Sequence, residues 1–378
     1  MINETQKIRT ILDEIKNVFV GKDEVIDLLG IGLLARENVF LLGPPGTAKS
    51  AIVKQLSSHV IGGINFDYLL TRFTEPNEIF GPLDIRLLKE GELVTNTDGM
   101  LPEASLVFLD EIFNANSAIL NSLLMALNEK IFRRGKETKK LPALMFISAS
   151  NQLPEDEALA ALLDRFLIRL KVDNVKPDRL EEVLQAGWKL ERKEKTAQTK
   201  ISPEEIKGLQ DQVKEVDLTP IRSSYIELIH SLRNTGIEVS DRRAVKMQNL
   251  VAASAMLCDR TEAILSDLWV LKYIWSTEEQ IETLQATVNA LIEKEQTEEQ
   301  VHPQAFFNKA PNPEELMNEV SNLQLKFSNQ ELSLQELNVI KDKLRYLQNR
   351  TDWVKDQQKK QYINTEIDQL WKEILHKV

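Results

Sequence analysis

Gly43–Ser50 reads GPPGTAKS. A glycine-rich turn ending in Lys-Ser has the groups needed to hold a polyphosphate. Backbone N–H groups and a helix N-terminus face the anion, the lysine reaches the outer phosphates, and the serine hydroxyl takes a magnesium ion. Gly43, Pro44, Pro45, Gly46, Thr47, Ala48, Lys49, Ser50 and Ala51 are therefore the candidate nucleotide-binding residues. The general pattern places glycine just before the lysine, and here that residue is Ala48. If Ala48 lies in the first turn of the following helix it has ordinary helical angles. Alanine then costs one methyl near the phosphates and no backbone strain.

A second constellation follows about 60 residues later. Ser105–Glu111 reads SLVFLDE, four apolar residues ending in two carboxylates. Asp110 is placed to hold Mg²⁺ through water, and Glu111 to polarise an attacking water as general base. Asn151 ends the SASN stretch and could orient that water. Arg165, in LLDRF, lies between a helix and a strand, where it could act as an arginine finger in a neighbour's site. In SDRRA, Ser240 is a good N-cap, and Arg242 or Arg243 could reach a γ-phosphate. The last three each have a plainer reading: a turn asparagine, a surface ion pair and a solvated helix start.

These residues need a scaffold. VFLL (Val39–Leu42) running into a glycine turn is a buried strand, and Ala48–His59 has helical character. Further strands are expected at Phe66–Leu70, Leu106–Leu109, Ala143–Ala149 and Phe166–Val172, with helices at Ser117–Asn128 and Glu155–Leu163. The alternation predicts an α/β core with a parallel sheet and helices on both faces. Beyond Pro177 the β signal stops. The expected domains are an α/β nucleotide-binding core over 1–176, an all-α lid over 177–277 and a C-terminal helical bundle over 278–378. The bundle rests on three apolar stripes at helical spacing: Ile281 to Leu291, Leu337 to Leu347, and Ile363 to Ile374.

Composition bounds the rest. The 378 residues carry a net charge of −11, which counts against a broad sequence-independent nucleic-acid surface. One cysteine, Cys258, permits no intrachain disulfide. The charged N-terminal stretch is no signal peptide, and the longest apolar run, Leu28–Ala35, is too short to span a membrane. The expected location is the cytoplasm.

In this order the motifs resemble those of the AAA+ ATPases, and within them the MoxR family. GPPGTAKS resembles the Walker A motif, where the family often has alanine at the Ala48 position. LVFLDE resembles Walker B, SASN sensor 1, LLDRF the arginine-finger segment and VSDRRA sensor 2. LTRFTEPNEIFGPLD and GELVTNTDGML resemble the family's helix-2 insert, and NEKIFRRGKETKKLPAL the hairpin before sensor 1. VSDRR and DLWVLKYIW (Asp267–Trp275) resemble the RavA branch. The likeness covers about 5–277 and leaves 278–378 open.

The resemblance implies an ATP/ADP- and Mg²⁺-dependent motor that assembles into rings, commonly of six, and remodels a client protein. A client with a von Willebrand A domain is implied by the resemblance alone. Within the ring, Lys49, Ser50, Asp110, Glu111, Asn151 and Arg242 are expected from one subunit and Arg165 from the next. Val20 and Gly21 are expected to cover the adenine. Two other readings stay open: a nucleotide-dependent scaffold with little turnover, and a DNA-directed motor.

Overall fold

The computed structural model describes residues 4–89, 94–134, 137–154, 156–175, 177–192, 198–294, 301–305, 313–329, 340, 344, 347–348, 351, 354 and 357–377. The chain divides into two compact units, 1–302 and 303–378.

The first unit opens with α1 (Glu4–Val18), whose Ile8, Ile11, Leu12 and Ile15 are buried at helical spacing. Helix α2 (Asp23–Ala35) is buried all along from Val25. Most of its faces are apolar, as in a helix enclosed by neighbours, and its buried Asp27 pairs with Lys16 at 2.6 Å. Strand β1 (Val39–Leu42) then runs through the core and delivers the chain to α3 (Lys49–His59). Next come β2 (Asn65–Leu69), the short α4 (Pro76–Phe80) and α5 (Ile85–Lys89), and β3 (Leu106–Asp110). Helix α6 (Ser117–Glu129) is capped by Asn116, whose side chain accepts from the amides of Ala118 and Ile119. A hairpin of β4 (Ile131–Arg134) and β5 (Glu137–Lys140) precedes β6 (Met145–Ser150), α7 (Glu157–Leu163) and β7 (Ile168–Lys171).

Five strands form one parallel sheet in the order β2-β3-β6-β1-β7. The sheet thus has the doubly wound character expected from the alternation of strands and helices. Its central strands β1 and β6 are buried along their whole length because both faces are covered.

Helix α8 (Leu180–Glu191) leaves the core. Helices α9 (Pro203–Gln212), α10 (Arg222–Asn234) and α11 (Asp241–Leu257) follow, with a nine-residue 3₁₀ stretch at Leu265–Tyr273 and α12 (Gln280–Ile292). Ser202 and Glu205 cap α9 reciprocally, and Ser240 caps α11 through the Arg243 amide. Trp269 and Trp275 are fully buried, so DLWVLKYIW is a packing element.

The division at 302/303 differs from the expected bundle boundary at 277/278. Helix α12 packs on the 3₁₀ stretch and on α10, burying Leu284, Val288 and Leu291 there. An apolar stripe marks a helix as half-buried without naming the surface that buries it.

In the second unit, α13 (Pro313–Asn329) packs against α14 (Gln357–Lys377). Leu316, Val320, Ile340, Leu344, Leu347 and Ile363 are buried in their common core. Leu337, at the start of the second stripe, lies outside the described residues. Among the described residues no helix is long and apolar enough to cross a membrane.

Candidate nucleotide site

The register of the sheet brings the motifs together. Leu42 pairs with Ser150, and Leu109 with Ser148. Gly43 follows β1, Asp110 ends β3 and Asn151 follows β6, so all three meet at the C-terminal edge of the sheet, where α/β proteins hold ligands. The Gly43 amide donates to Ser150 O across 3.1 Å. A Cβ on Gly43 would sit 2.2 Å from the carbonyl oxygen of Val172, so only glycine lets the chain pass.

The Thr47 hydroxyl donates to Pro44 O at 2.9 Å and closes the loop. Pro44, Pro45 and Gly46 are exposed; Gly46 has φ +85°, and nothing lies within 4 Å of where its Cβ would be. This open crest, followed by the N-terminus of α3, is a cradle for an anion. Ala51 is exposed on α3.

Ala48 corrects the sequence reading. It is the N-cap of α3 and has φ +68°, ψ 16°, in the left-handed region. Alanine there costs about 1 kcal/mol. The general preference for glycine at this place therefore reflects backbone geometry as well as room for the phosphates.

Lys49 donates to Gly43 O, to Pro44 O at 3.0 Å and to Asn151 Oδ1 at 3.2 Å. Burial pushes its ammonium below the ordinary lysine range, against the pull of Asp110 and Glu111. Ser50 Oγ donates to Asp110 Oδ2 across 2.7 Å. That hydroxyl and carboxylate are the oxygen donors a magnesium ion takes in phosphate chemistry. The Asn151 amide nitrogen donates to Glu111 Oε1. Glu111 is also left-handed, φ +51°, which turns the chain sharply at the end of β3. Burial, and then the charge of Asp110, push its carboxyl above the usual glutamate range, with Lys49 opposing. The donor set fits ATP and Mg²⁺.

Arg165 and Arg242 lie elsewhere. The carbonyl of Arg165 accepts from Asn38 Nδ2 at 3.0 Å, and Asn38 precedes β1. Asn38 and Gly43 are five residue steps apart along the strand, about 16 Å at about 3.3 Å per step. Arg165 thus sits at the N-terminal edge of the sheet, and its buried Nε has no hydrogen-bond partner among the described residues.

Arg242, expected beside Lys49, lies instead in a 190 Å³ pocket with Arg165. Lys246, one turn further along α11, pairs at 2.9 Å with Glu37, which also precedes β1. The packing of α11 on the core through this pair is a tertiary choice that the motif alone does not encode. Of the two candidate arginines, Arg243 is bound to Ile274 O and Glu238 O, whereas Arg242 is exposed.

The family described as "MoxR domain in the MoxR-vWA-beta-propeller ternary systems" matches residues 6–211, and that described as "AAA lid domain" matches 216–288. The chain belongs to the MoxR family of AAA+ ATPases. Two uncharacterized proteins of Methanocaldococcus jannaschii are similar to it. One is 39% identical over 274 residues, 72% of this chain and 71% of that protein; the other is 38% identical over 270 residues, 71% and 70%. The chaperone MoxR1 of Mycobacterium tuberculosis is 26% identical over 185 residues, 48% of each chain. A solved structure of a putative ATPase from Cytophaga hutchinsonii shares the fold with a TM-score of 0.61 at 19% identity, covering 77% of this chain and 95% of that one.

On this MoxR scaffold Gly21 has φ +71°, and its missing Cβ would lie 3.2 Å from Val175 Cγ1 and 3.6 Å from Arg179 Nη1. The segment after β7 therefore touches both Gly43, through Val172, and Gly21, beside Val20. It forms a wall from the phosphate loop to the expected base end. Val175 and Arg179 escaped sequence reading because they belong to no motif.

Phe80 is core, stacked on Phe132 at 5.4 Å, while Phe73 is 90% exposed. Arg134 of the basic hairpin braces α4 through Gly81 O and Asn77 Oδ1, each at 3.2 Å. Lys136 lies outside the described residues.

Proposed function

We propose that this protein hydrolyses ATP at sites shared between the subunits of a six-membered ring and uses the cycle to remodel a client protein. The observation that carries the reading is the split of the site. Lys49, Ser50, Asp110, Glu111 and Asn151 stand at one edge of the sheet, and Arg165 and Arg242 at the other. A single chain holds both halves and cannot close them on each other. A head-to-tail neighbour can, and a ring is the closed form of such an arrangement.

In this reading Lys49 binds the outer phosphates and Glu111 takes the proton of the attacking water. Asn151 holds the Glu111 carboxylate, and the neighbour's Arg165 and Arg242 meet the charge that develops on the transferred phosphoryl group. Ser50 and Asp110 would hold Mg²⁺, which, when bound, neutralises phosphate charge. The family description supports a von Willebrand A-domain protein as the client. VSDRR and DLWVLKYIW support the RavA branch, and the cytoplasm is the proposed location.

Mixing experiments test the split. Arg165→Ala and Arg242→Ala should each lose most turnover, and each should recover when mixed with Lys49→Ala chains. Arg165→Ala mixed with Arg242→Ala should stay inactive, because every interface still lacks one arginine. Recovery in that last mixture would return Arg242 to the subunit that carries Lys49. A nucleotide-dependent scaffold would instead assemble with ATP and show no turnover in the wild type.

A further inference from the structure

Arg169 places a guanidinium inside an apolar strand. Its neighbours on β7, Ile168 and Leu170, are buried, Phe40 of β1 lies opposite, and Arg169 itself is 1% exposed. Burying a cation is costly unless its donors find partners. Here five bonds match the five N–H donors of the fork. Nε donates to Phe166 O at 3.1 Å, and Nη2 to Leu163 O and Asp164 Oδ1 at 3.2 Å each. Nη1 donates to Trp275 O and, at 2.9 Å, to Ser276 Oγ. Burial, and then the charge of Arg243, push the group down to about 10, with Asp164 opposing, so it stays cationic at neutral pH.

The acceptors fall into two groups. Leu163, Asp164 and Phe166 bracket Arg165. Two amide bonds also close that turn, Arg165 N to Leu162 O at 3.1 Å and Phe166 N to Leu163 O at 3.0 Å. The Arg165 carbonyl is held by Asn38, while its buried Nε has no partner among the described residues. The shape of the turn therefore sets where the Arg165 side chain stands.

The second group, Trp275 and Ser276, lies in the connector between the 3₁₀ stretch and α12. Arg243 holds the same connector from α11, donating to Ile274 O and, at 3.5 Å, to Ser276 Oγ. The Ser276 amide donates to Gln280 Oε1 at 2.7 Å, which ties the connector to α12. Ser276 Oγ thus accepts from both arginines, the capacity of a hydroxyl oxygen. One lies four residues after Arg165 and the other adjoins Arg242. Arg165, Arg242 and Ser276 line one pocket.

We propose that Arg169 is the positioning residue for the Arg165–Arg242 pair. Its fork shapes the Arg165 turn and, through Ser276 and Arg243, fixes that turn against the helix that carries Arg242. The proposal rests on the shared-site reading above for what the pair does, but not for the positioning itself. Lysine offers three donors from a single point and cannot span both groups of acceptors.

Arg169→Lys keeps the charge and loses the fork. In the full-length chain it should keep the wild-type circular dichroism and ATP affinity, because the phosphate loop stands at the other edge of the sheet. It should lower kcat about tenfold or more, as misplacement of a reacting group does. Placed on Arg165→Ala it should lower the residual kcat no further, since residues that act through one another are not additive. A purely structural role would instead weaken ATP binding or add its loss to that of Arg165→Ala. Ser276→Ala removes one acceptor at the pocket and carries the same test if Arg169→Lys fails to fold. Its loss should be about three- to tenfold, the scale of one hydrogen bond, and again absent in Arg165→Ala. Mixed with Lys49→Ala chains, Arg169→Lys should recover turnover; mixed with Arg165→Ala chains it should not.

Wild-type kcat in both Arg169→Lys and Ser276→Ala, additive losses, or recovery with Arg165→Ala chains would overturn the positioning. Recovery of Arg165→Ala by Lys49→Ala would then leave the shared site standing. If Arg165→Ala stays inactive in that mixture while Arg169→Lys still adds nothing to it, the shared site falls and the positioning stands.

Discussion

Asn151 joins the two halves of the phosphate chemistry to each other: its oxygen accepts from Lys49 at 3.2 Å, and its nitrogen donates to Glu111. One amide thereby fixes the distance between the cation proposed to hold the γ-phosphate and the carboxylate proposed to handle the water. Asn151→Ala should cut turnover by about 10²-fold, the scale lost when a positioned group of this kind is removed. ATP affinity should change by no more than a few-fold, because Lys49 keeps its carbonyl contacts. Steady-state hydrolysis and nucleotide titration on the same sample separate the two effects.

Glu111 gives a pH signature. In its proposed role as base it must be ionised, and its carboxyl is held above the ordinary range by burial and Asp110. Turnover should therefore fall as pH drops through a value higher than that of a free glutamate. Glu111→Gln should abolish most turnover, keep ATP binding and leave no acid limb of this origin. A pH profile of single-turnover hydrolysis is the measurement.

Ala48→Gly tests the left-handed N-cap. Relief of about 1 kcal/mol of strain is opposed by about 0.4–1 kcal/mol of added chain entropy in the unfolded state. Stability should rise by a few tenths of a kcal/mol or stay level, and ATP should still bind. Urea unfolding with and without nucleotide reads both. A loss of more than 1 kcal/mol would contradict the geometry described for this loop.

Gly43→Ala should do the opposite. The new methyl would press on the Val172 carbonyl, which is backbone and cannot rotate away. Overpacking of this kind costs about 1–3 kcal/mol. The displaced loop should also lose ATP affinity, so both the urea midpoint and the nucleotide titration should shift.

Much of the site was legible because it is carried by short motifs at the ends of strands. Lys49, Ser50, Asp110, Glu111 and Asn151 could be read from residue type and from the strand that precedes each, and the parallel register brings them together. The angle of Ala48 was not legible, since it depends on how the loop closes through Thr47 and Pro44. The position of Arg242 was not legible either. It follows from the pairing of Lys246 with Glu37, two residues 209 positions apart that belong to no motif. The stripe of α12 was readable as a helix, but its burial surface, the 3₁₀ stretch at Leu265–Tyr273, was not. Sequence periodicity states that a face is covered, and only tertiary packing states by what.

The placement of Arg165 and Lys49 at opposite edges of one sheet has a genetic reading. In the proposed ring, a chain damaged at both edges would spoil its own site and the one it completes for its neighbour. In a mixed population such chains would poison two interfaces apiece, and function would fall faster than the fraction of normal chains. Alleles that combine Lys49 and Arg165 lesions should therefore be dominant, where a chain that fails to assemble would be recessive.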